Sequence, residues 1–220
     1  MSVSRIASLT RRWSTVCLLL ATPMLFSAGA AAAEMAASDA AAGKKLTTAC
    51  QACHGVDGNS IIPANPSLAG QNERYLFRQL QMIQTNARSA PLMAGQLNGM
   101  GEQDLRNIAA YYAGLAPGLG QAQGDDEQIA KAENLYRGGS LKKGVAACAA
   151  CHGPSGEGNA PAGFPRVSGL SAEYTIAQLT AYREGLRATD EEYGGMMRQV
   201  AANLNDTEIA ALADYLQGVH

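Results

Sequence analysis

The sequence predicts an all-α chain built as a tandem duplication, two small helical domains in series. Three observations carry that prediction. A five-residue stretch is written twice, Cys50-Gln51-Ala52-Cys53-His54 and Cys148-Ala149-Ala150-Cys151-His152. Landmarks around the two copies keep their spacing. His54 and His152 are 98 apart, and Pro66/Pro165, Gly70/Gly169, Tyr75/Tyr174 and Gln79/Gln178 are each 99 apart. After an insertion of five in the second copy, Met93/Met197, Leu97/Ala201 and Tyr111/Tyr215 stand at an offset of 104. Within each copy, apolar residues return every three or four positions, and no stretch shows sustained alternation.

Taken in order, residues 1–33 read as an exported leader. Arg5, Arg11 and Arg12 form a basic start, Val16 to Phe26 an apolar run, and Ala31-Ala32-Ala33 before Glu34 a small-residue cleavage site. The run is broken by Thr22, Pro23 and Ser27 and is short for a membrane span. Cys17 is expected to leave with the leader, so four cysteines remain and the two motifs use all of them. The first domain is expected over 34–116, a Gly-rich polar linker over 117–127 and the second domain over 128–220. Asp39 is placed to cap a helix running through Gly43 and Leu46 to the first motif, and Asp126 to cap one over Ile129–Tyr136. Asn72 or Glu73 starts a helix whose Tyr75, Leu76, Gln79, Leu80 and Ile83 share a face; its repeat begins near Ser171 and carries Tyr174, Leu179 and Tyr182. Closing helices are expected from Glu102 to Ala113 and from Asp206 to Leu216. Domains this small bury little area from protein alone, so a cofactor is expected to complete each core.

The repeated motif says which cofactor. C-x-x-C-H places two cysteines on one side of a helical turn, where both sulfurs reach one porphyrin as thioethers, with the histidine beneath its iron. A zinc ribbon would bring its cysteine pairs within about 15–20 residues of each other, whereas most of a domain separates Cys53 from Cys148. A thioredoxin-type pair needs a βαβ setting, and disulfides leave the two following histidines unexplained. Two covalently attached haem c groups are therefore expected, on Cys50 and Cys53 and on Cys148 and Cys151, with His54 and His152 as the proximal iron ligands.

The sixth ligand separates carriers from catalysts. Beyond the motifs the only histidine is the terminal His220, which leaves methionine. The first copy offers Met82, Met93 and Met100, the second Met196 and Met197. Only Met93 and Met197 match in register, each 18 residues before Tyr111 or Tyr215; Met82 and Met100 are read as core filler. A His/Met pair raises the potential and closes the coordination sphere, which suits electron transfer. Carbonyls at Pro66 and Pro165 are placed to accept the other ring N–H of each histidine. Arg74, Arg78, Arg166 and Arg183 are candidates for pairing with haem propionates. The chain has 17 basic and 19 acidic residues; without the three leader arginines, 14 face 19. Residues 121–220 hold eight basic and thirteen acidic side chains, which argues against nucleic acid as a partner.

With these residues in place, residues 39–220 resemble the cytochrome c4 family, the dihaem class I cytochromes c of bacterial periplasms. The resemblance rests on Cys50-Gln51-Ala52-Cys53-His54-Gly55 with Asp57-Gly58-Asn59, Leu68-Ala69-Gly70-Gln71, Arg74-Tyr75-Leu76, Asp104-Leu105 and Ala109-Ala110-Tyr111. It continues through Arg137-Gly138-Gly139, Gly163-Phe164-Pro165, Gln178-Leu179 and Leu216-Gln217-Gly218-Val219-His220. It implies two cytochrome c domains about a pseudo-twofold axis, with propionates meeting at a polar interface. It further implies a periplasmic, non-enzymatic carrier between a respiratory donor complex and a terminal oxidase of the cbb3 type, loosely associated with the membrane and without a small-molecule substrate. The resemblance also maps the axial methionines onto Met93 and Met197. A fixed subunit of a larger redox complex and a dihaem peroxidase are the rival readings. One departure stands out: Gly43 is followed four residues later by Thr47 where many relatives carry an aromatic, whereas the second copy keeps Ala132 and Tyr136.

Overall fold

A computed structural model describes residues 37–220 of the chain; the leader and Cys17 lie outside them. Nine α-helices occur among the described residues, in the order the duplication requires. The first copy contains α1 (Ala40–Leu46), α2 (Gln51–His54), α3 (Glu73–Gln84) and α4 (Glu102–Ala113). The second contains α5 (Asp126–Gly138), α6 (Ala149–His152), α7 (Ala172–Arg183), α8 (Met196–Ala202) and α9 (Asp206–Gly218). No β-strand is present among these residues, only two isolated antiparallel bridges, Ser140 with Val145 and Asn159 with Phe164.

The helix starts follow from local chemistry. The Asp39 carboxylate accepts from the Ala41 and Ala42 amides, satisfying donors that a helix leaves free at its first turn. Asp125, rather than the expected Asp126, caps α5: its carboxylate accepts from the Gln128 amide while the Gln128 side chain returns to the Asp125 amide. That reciprocal box needs a glutamine or glutamate three residues on, which Asp125 has and Asp126 lacks. Asn205 and Glu208 form the same box at α9. The first helix does not continue into the motif; it stops at Thr47, whose hydroxyl bonds back to the Lys44 carbonyl, and the motif forms its own short turn.

In each copy the entering helix crosses the closing one, α1 on α4 and α5 on α9, and the middle helix packs alongside, α3 on α4 and α7 on α9. At the first crossing the two backbones nearly touch. A Cβ on Gly43 would lie 2.0 Å from the Asn107 carbonyl oxygen, so only glycine permits the approach. Two apolar cores result. Leu76, Ile108, Ala109 and Tyr112 form one. Ala132, Tyr136, Val145, Leu204, Ile209, Leu212, Tyr215 and Leu216 form the other.

The connection between the copies is tied to both. Gly118 donates to the Asn59 side chain (2.6 Å), while Gln123 and Gly124 donate to the two carboxylate oxygens of Asp214 (2.8 and 2.9 Å). The domains then meet where the start of α3 faces the loop ahead of α7, through polar contacts. Gln71 bonds both the amide and the carbonyl of Arg166 (2.8 Å each), Asn72 donates to the Phe164 carbonyl (3.0 Å) and Arg74 to the Pro161 carbonyl (2.8 Å).

Candidate haem sites

Each motif closes a single helical turn. Cys50 and Cys148 hold right-handed helical backbone just ahead of α2 and α6, and the His54 and His152 amides donate to their carbonyls at 3.0 and 2.9 Å. None of the four cysteines is in a disulfide, and they line one cavity of about 700 Å³ that runs through both domains. Its walls are largely apolar, with Leu68, Leu76, Leu80 and Ile108 on one side and Val167, Leu179, Val200 and Leu212 on the other. Before haem is attached, burial pushes the Cys148 thiol up to about 11 and raises Cys50 as well, which keeps both protonated at neutral pH.

The histidines are prepared as ligands by their neighbours. His54 Nδ1 lies 2.8 Å from the Pro66 carbonyl oxygen and His152 Nδ1 lies 2.9 Å from that of Pro165. A carbonyl can only accept, so Nδ1 carries the proton and Nε2 keeps a free lone pair, the form that binds a metal. Burial lowers the pKa of both rings, and the carbonyl contact opposes it only partly. Both rings are therefore neutral at pH 7.

The methionines divide by position. Met93 ends a 3-10 turn (Pro91–Met93) and Met197 lies in the first turn of α8; both line the cavity, as does the more exposed Met196. Met82 and Met100 do not line it, and Met100 packs against the Tyr112 core instead. His220 is exposed at the chain end, bonded to the Gly218 carbonyl.

The arginines rearrange the expectation. Arg183 is occupied elsewhere, with Asp206 at 2.7 Å and the Leu204 carbonyl at 3.2 Å, and Arg74 also lies off the cavity. Arg78 and Arg166 do line it, and Arg166 Nε is buried with no hydrogen-bond partner. Sequence reasoning missed the other two. Arg187, 7% exposed, donates to Gln178 (2.7 Å), Tyr75 (2.9 Å) and Gln79 (3.2 Å). Arg88 donates to Gln79 (2.9 Å), Tyr174 (3.0 Å) and Gln178 (3.4 Å). The two are pseudo-symmetric partners, 99 residues apart like the tyrosines and glutamines they grip, and that offset was the available signal. Among the described residues neither pairs with a carboxylate. Buried positive charge on a cavity wall calls for an anion from whatever fills the cavity. Paired thiols, a histidine with a free Nε2, apolar walls and unneutralised arginines suit a porphyrin with iron and carboxylates.

Comparison with known proteins agrees with this chemistry. The sequence model of the cytochrome c family matches residues 40–116 and again 121–220. The chain belongs to the cytochrome c family and carries two of its domains. Within that family it is 44% identical over 206 residues to cytochrome c4 of Azotobacter vinelandii, covering 90% of this chain and 97% of the relative. The crystal structure of reduced recombinant cytochrome c4 from Pseudomonas stutzeri superposes with a TM-score of 0.80 at 45% identity, covering 84% of this chain and all of that one. A thiosulfate dehydrogenase electron acceptor of Stutzerimonas stutzeri (strain A1501) is 32% identical over 193 residues, covering 83% of this chain and 88% of the relative. The chain is accordingly a dihaem electron-transfer protein with two covalently attached haem c groups.

Proposed function

We propose that the chain is a periplasmic carrier moving single electrons from a respiratory donor complex to a terminal oxidase of the cbb3 type. Its two haems are ligated by His54 with Met93 and by His152 with Met197. When bound, the haem iron supplies a one-electron couple whose potential a thioether ligand raises. The protein does the rest. Cys50 and Cys53, and Cys148 and Cys151, anchor the groups. Pro66 and Pro165 hold each histidine in one tautomer and orientation. Apolar walls keep water out, and Arg88, Arg166 and Arg187 are placed to hold the carboxylates. The observation that carries the reading is the matched equipment of the two sites, with a carbonyl-locked histidine and a register-matched methionine on the cavity wall in each. Two closed irons suit a relay and leave no position for a substrate, so we assign no enzymatic activity.

Among the described residues no helix is long and apolar enough to cross a membrane. The expected leader and the family support a periplasmic location, and the reading includes peripheral association at the membrane. The test is mutation of the ligands. Met93→Ala and Met197→Ala should each remove the iron–sulfur charge-transfer absorption of one haem and lower its potential. If Met100→Ala or Met196→Ala does so instead, the ligand assignment fails. Prompt, stoichiometric carbon monoxide binding at one reduced haem of the unmodified protein would point to a peroxidase-like open site. The relative named for accepting electrons from thiosulfate dehydrogenase favours a second reading of the donor, a periplasmic dehydrogenase in place of a membrane complex. Stopped-flow reduction by each donor type separates the two.

A further inference from the structure

The five-residue insertion of the second copy falls between Arg187 and Met197. Five positions lie from Arg88 to Met93, and ten from Arg187 to Met197. The two segments start alike, since the Arg88 amide donates to the Met82 carbonyl (2.9 Å) and the Arg187 amide to that of Ala181 (3.0 Å). The longer segment then folds into a 3-10 turn, Glu191–Tyr193. It is fastened to the start of α8, because the buried Asp190 carboxylate accepts from the Arg198 amide (2.9 Å) and from its Nε (2.8 Å). The Gly195 amide also donates to the Asp190 carbonyl at 3.0 Å. Met197 sits in that first turn of α8.

The insertion is also gripped from the other domain. Arg78 of α3 donates from Nη2 to the Thr189 carbonyl (2.5 Å), lies 2.7 Å through Nε from a Glu192 carboxylate oxygen and sets its guanidinium 4.7 Å from the Tyr193 ring centre. The Nε approach is a charge contact without an aligned N–H, so the carbonyl bond and the ring carry most of the grip. Tyr193 in turn packs on Phe164 with ring centres 5.8 Å apart. In the other direction only Arg88, at the start of the shorter segment, reaches across, to Tyr174 and Gln178. The position matching Arg78 is Ala177. Among the described residues no hydrogen bond or ion pair joins residues 89–92 to the second domain.

We propose that Arg78 is a positioning residue for the second site, bracing across the domain interface the inserted segment that leads Met197 to the cavity. The proposal rests on Met197 as axial ligand. Both segments thus start at an arginine bonded to the other domain, but only the site 2 segment is also braced across the interface between that arginine and its methionine. Loosening the brace raises the fraction of time Met197 is off the iron, and a competing ligand then binds more readily in proportion to that fraction.

The test is an imidazole titration of the full-length ferric dihaem protein, with Met93→Ala and Met197→Ala marking which haem gives which signal. Arg78→Ala should lower the imidazole needed to displace methionine at haem 2 about tenfold while leaving haem 1 within about twofold, as a population shift at one site requires. Arg78→Lys, which keeps the charge and loses the fork, should fall between. Tyr193→Leu weakens the same grip from the opposite side and should reproduce the site 2 effect should Arg78→Ala not fold. Equal loosening of both haems, loosening of haem 1 alone, or no change in either variant overturns the proposal. If Met197→Ala leaves both charge-transfer absorptions intact, the ligand reading has failed, and that result does not depend on Arg78.

Discussion

The two copies solve one packing problem with different residues. In the first, Thr47 ends α1 and Tyr112 of α4 fills the space above the motif turn; in the second, Tyr136 of α5 fills it and Leu216 stands at the position matching Tyr112. The aromatic pair survives the exchange. Tyr111 and Tyr112 sit 5.2 Å apart at 53°, and Tyr136 and Tyr215 sit 5.5 Å apart at 49°, both in the tilted geometry that ring quadrupoles favour. The missing aromatic at Thr47 is therefore no gap, since the ring has moved from the entering helix to the closing one. The backbones adjust to match. Where Tyr136 supplies the bulk, Ala132 suffices at the helix crossing; where Thr47 is small, Gly43 lets α1 press directly onto α4. The lesson is that the fold requires a buried ring at a point in space, and leaves open which helix brings it.

The exchange differs in its hydroxyl. Tyr136 donates to the Gly153 carbonyl at 2.6 Å, next to His152, whereas the buried Tyr112 hydroxyl has only the Cys50 thiol and Thr47 beside it and makes no well-aligned hydrogen bond. Burial pushes the pKa of both phenols up, so both are neutral at any ordinary pH. Ring removal should give the largest effect. Tyr136→Ala and Tyr112→Ala should each destabilise their own domain by about 3–5 kcal/mol, read by denaturant unfolding of the holoprotein. Equal loss in both confirms that the rings are equivalent. Next comes the crossing: Gly43→Ala forces α1 from α4 and should cost about 1–3 kcal/mol, more than Ala132→Gly at the matched place. The finest test removes only the oxygen. Tyr136→Phe should cost about 1 kcal/mol for the lost hydrogen bond, while Tyr112→Phe should be neutral or slightly stabilising. A comparable loss in both phenylalanine variants would mean that Tyr112 has a partner in the holoprotein, and the asymmetry would fall.

Much of this molecule is legible in the chain because its signals are local. A C-x-x-C-H turn needs only its own five residues, and Glu102–Ala113 is bounded as its periodicity predicts. Errors of the sequence reading arise at finer chemistry, as at Asp125, where two adjacent aspartates compete and the glutamine three residues on decides. Arg88 and Arg187 escaped for a different reason. Each bonds to side chains of both domains, so its role exists only once the domains dock. Arg183, plausible from its place on α7, is drawn instead to Asp206 at the start of α9.

The sequence by itself determines the duplication, the two C-x-x-C-H motifs and the bounds of the longer helices, because each follows from residues near in the chain or from a fixed offset. Only the tertiary structure decides which arginines face the cavity, which helix supplies the buried ring and that Arg78 reaches the insertion ahead of Met197. The arginine contacts join residues about a hundred positions apart at a shared interface, and the ring's place depends on how helices pack within a domain, neither of which a local pattern encodes.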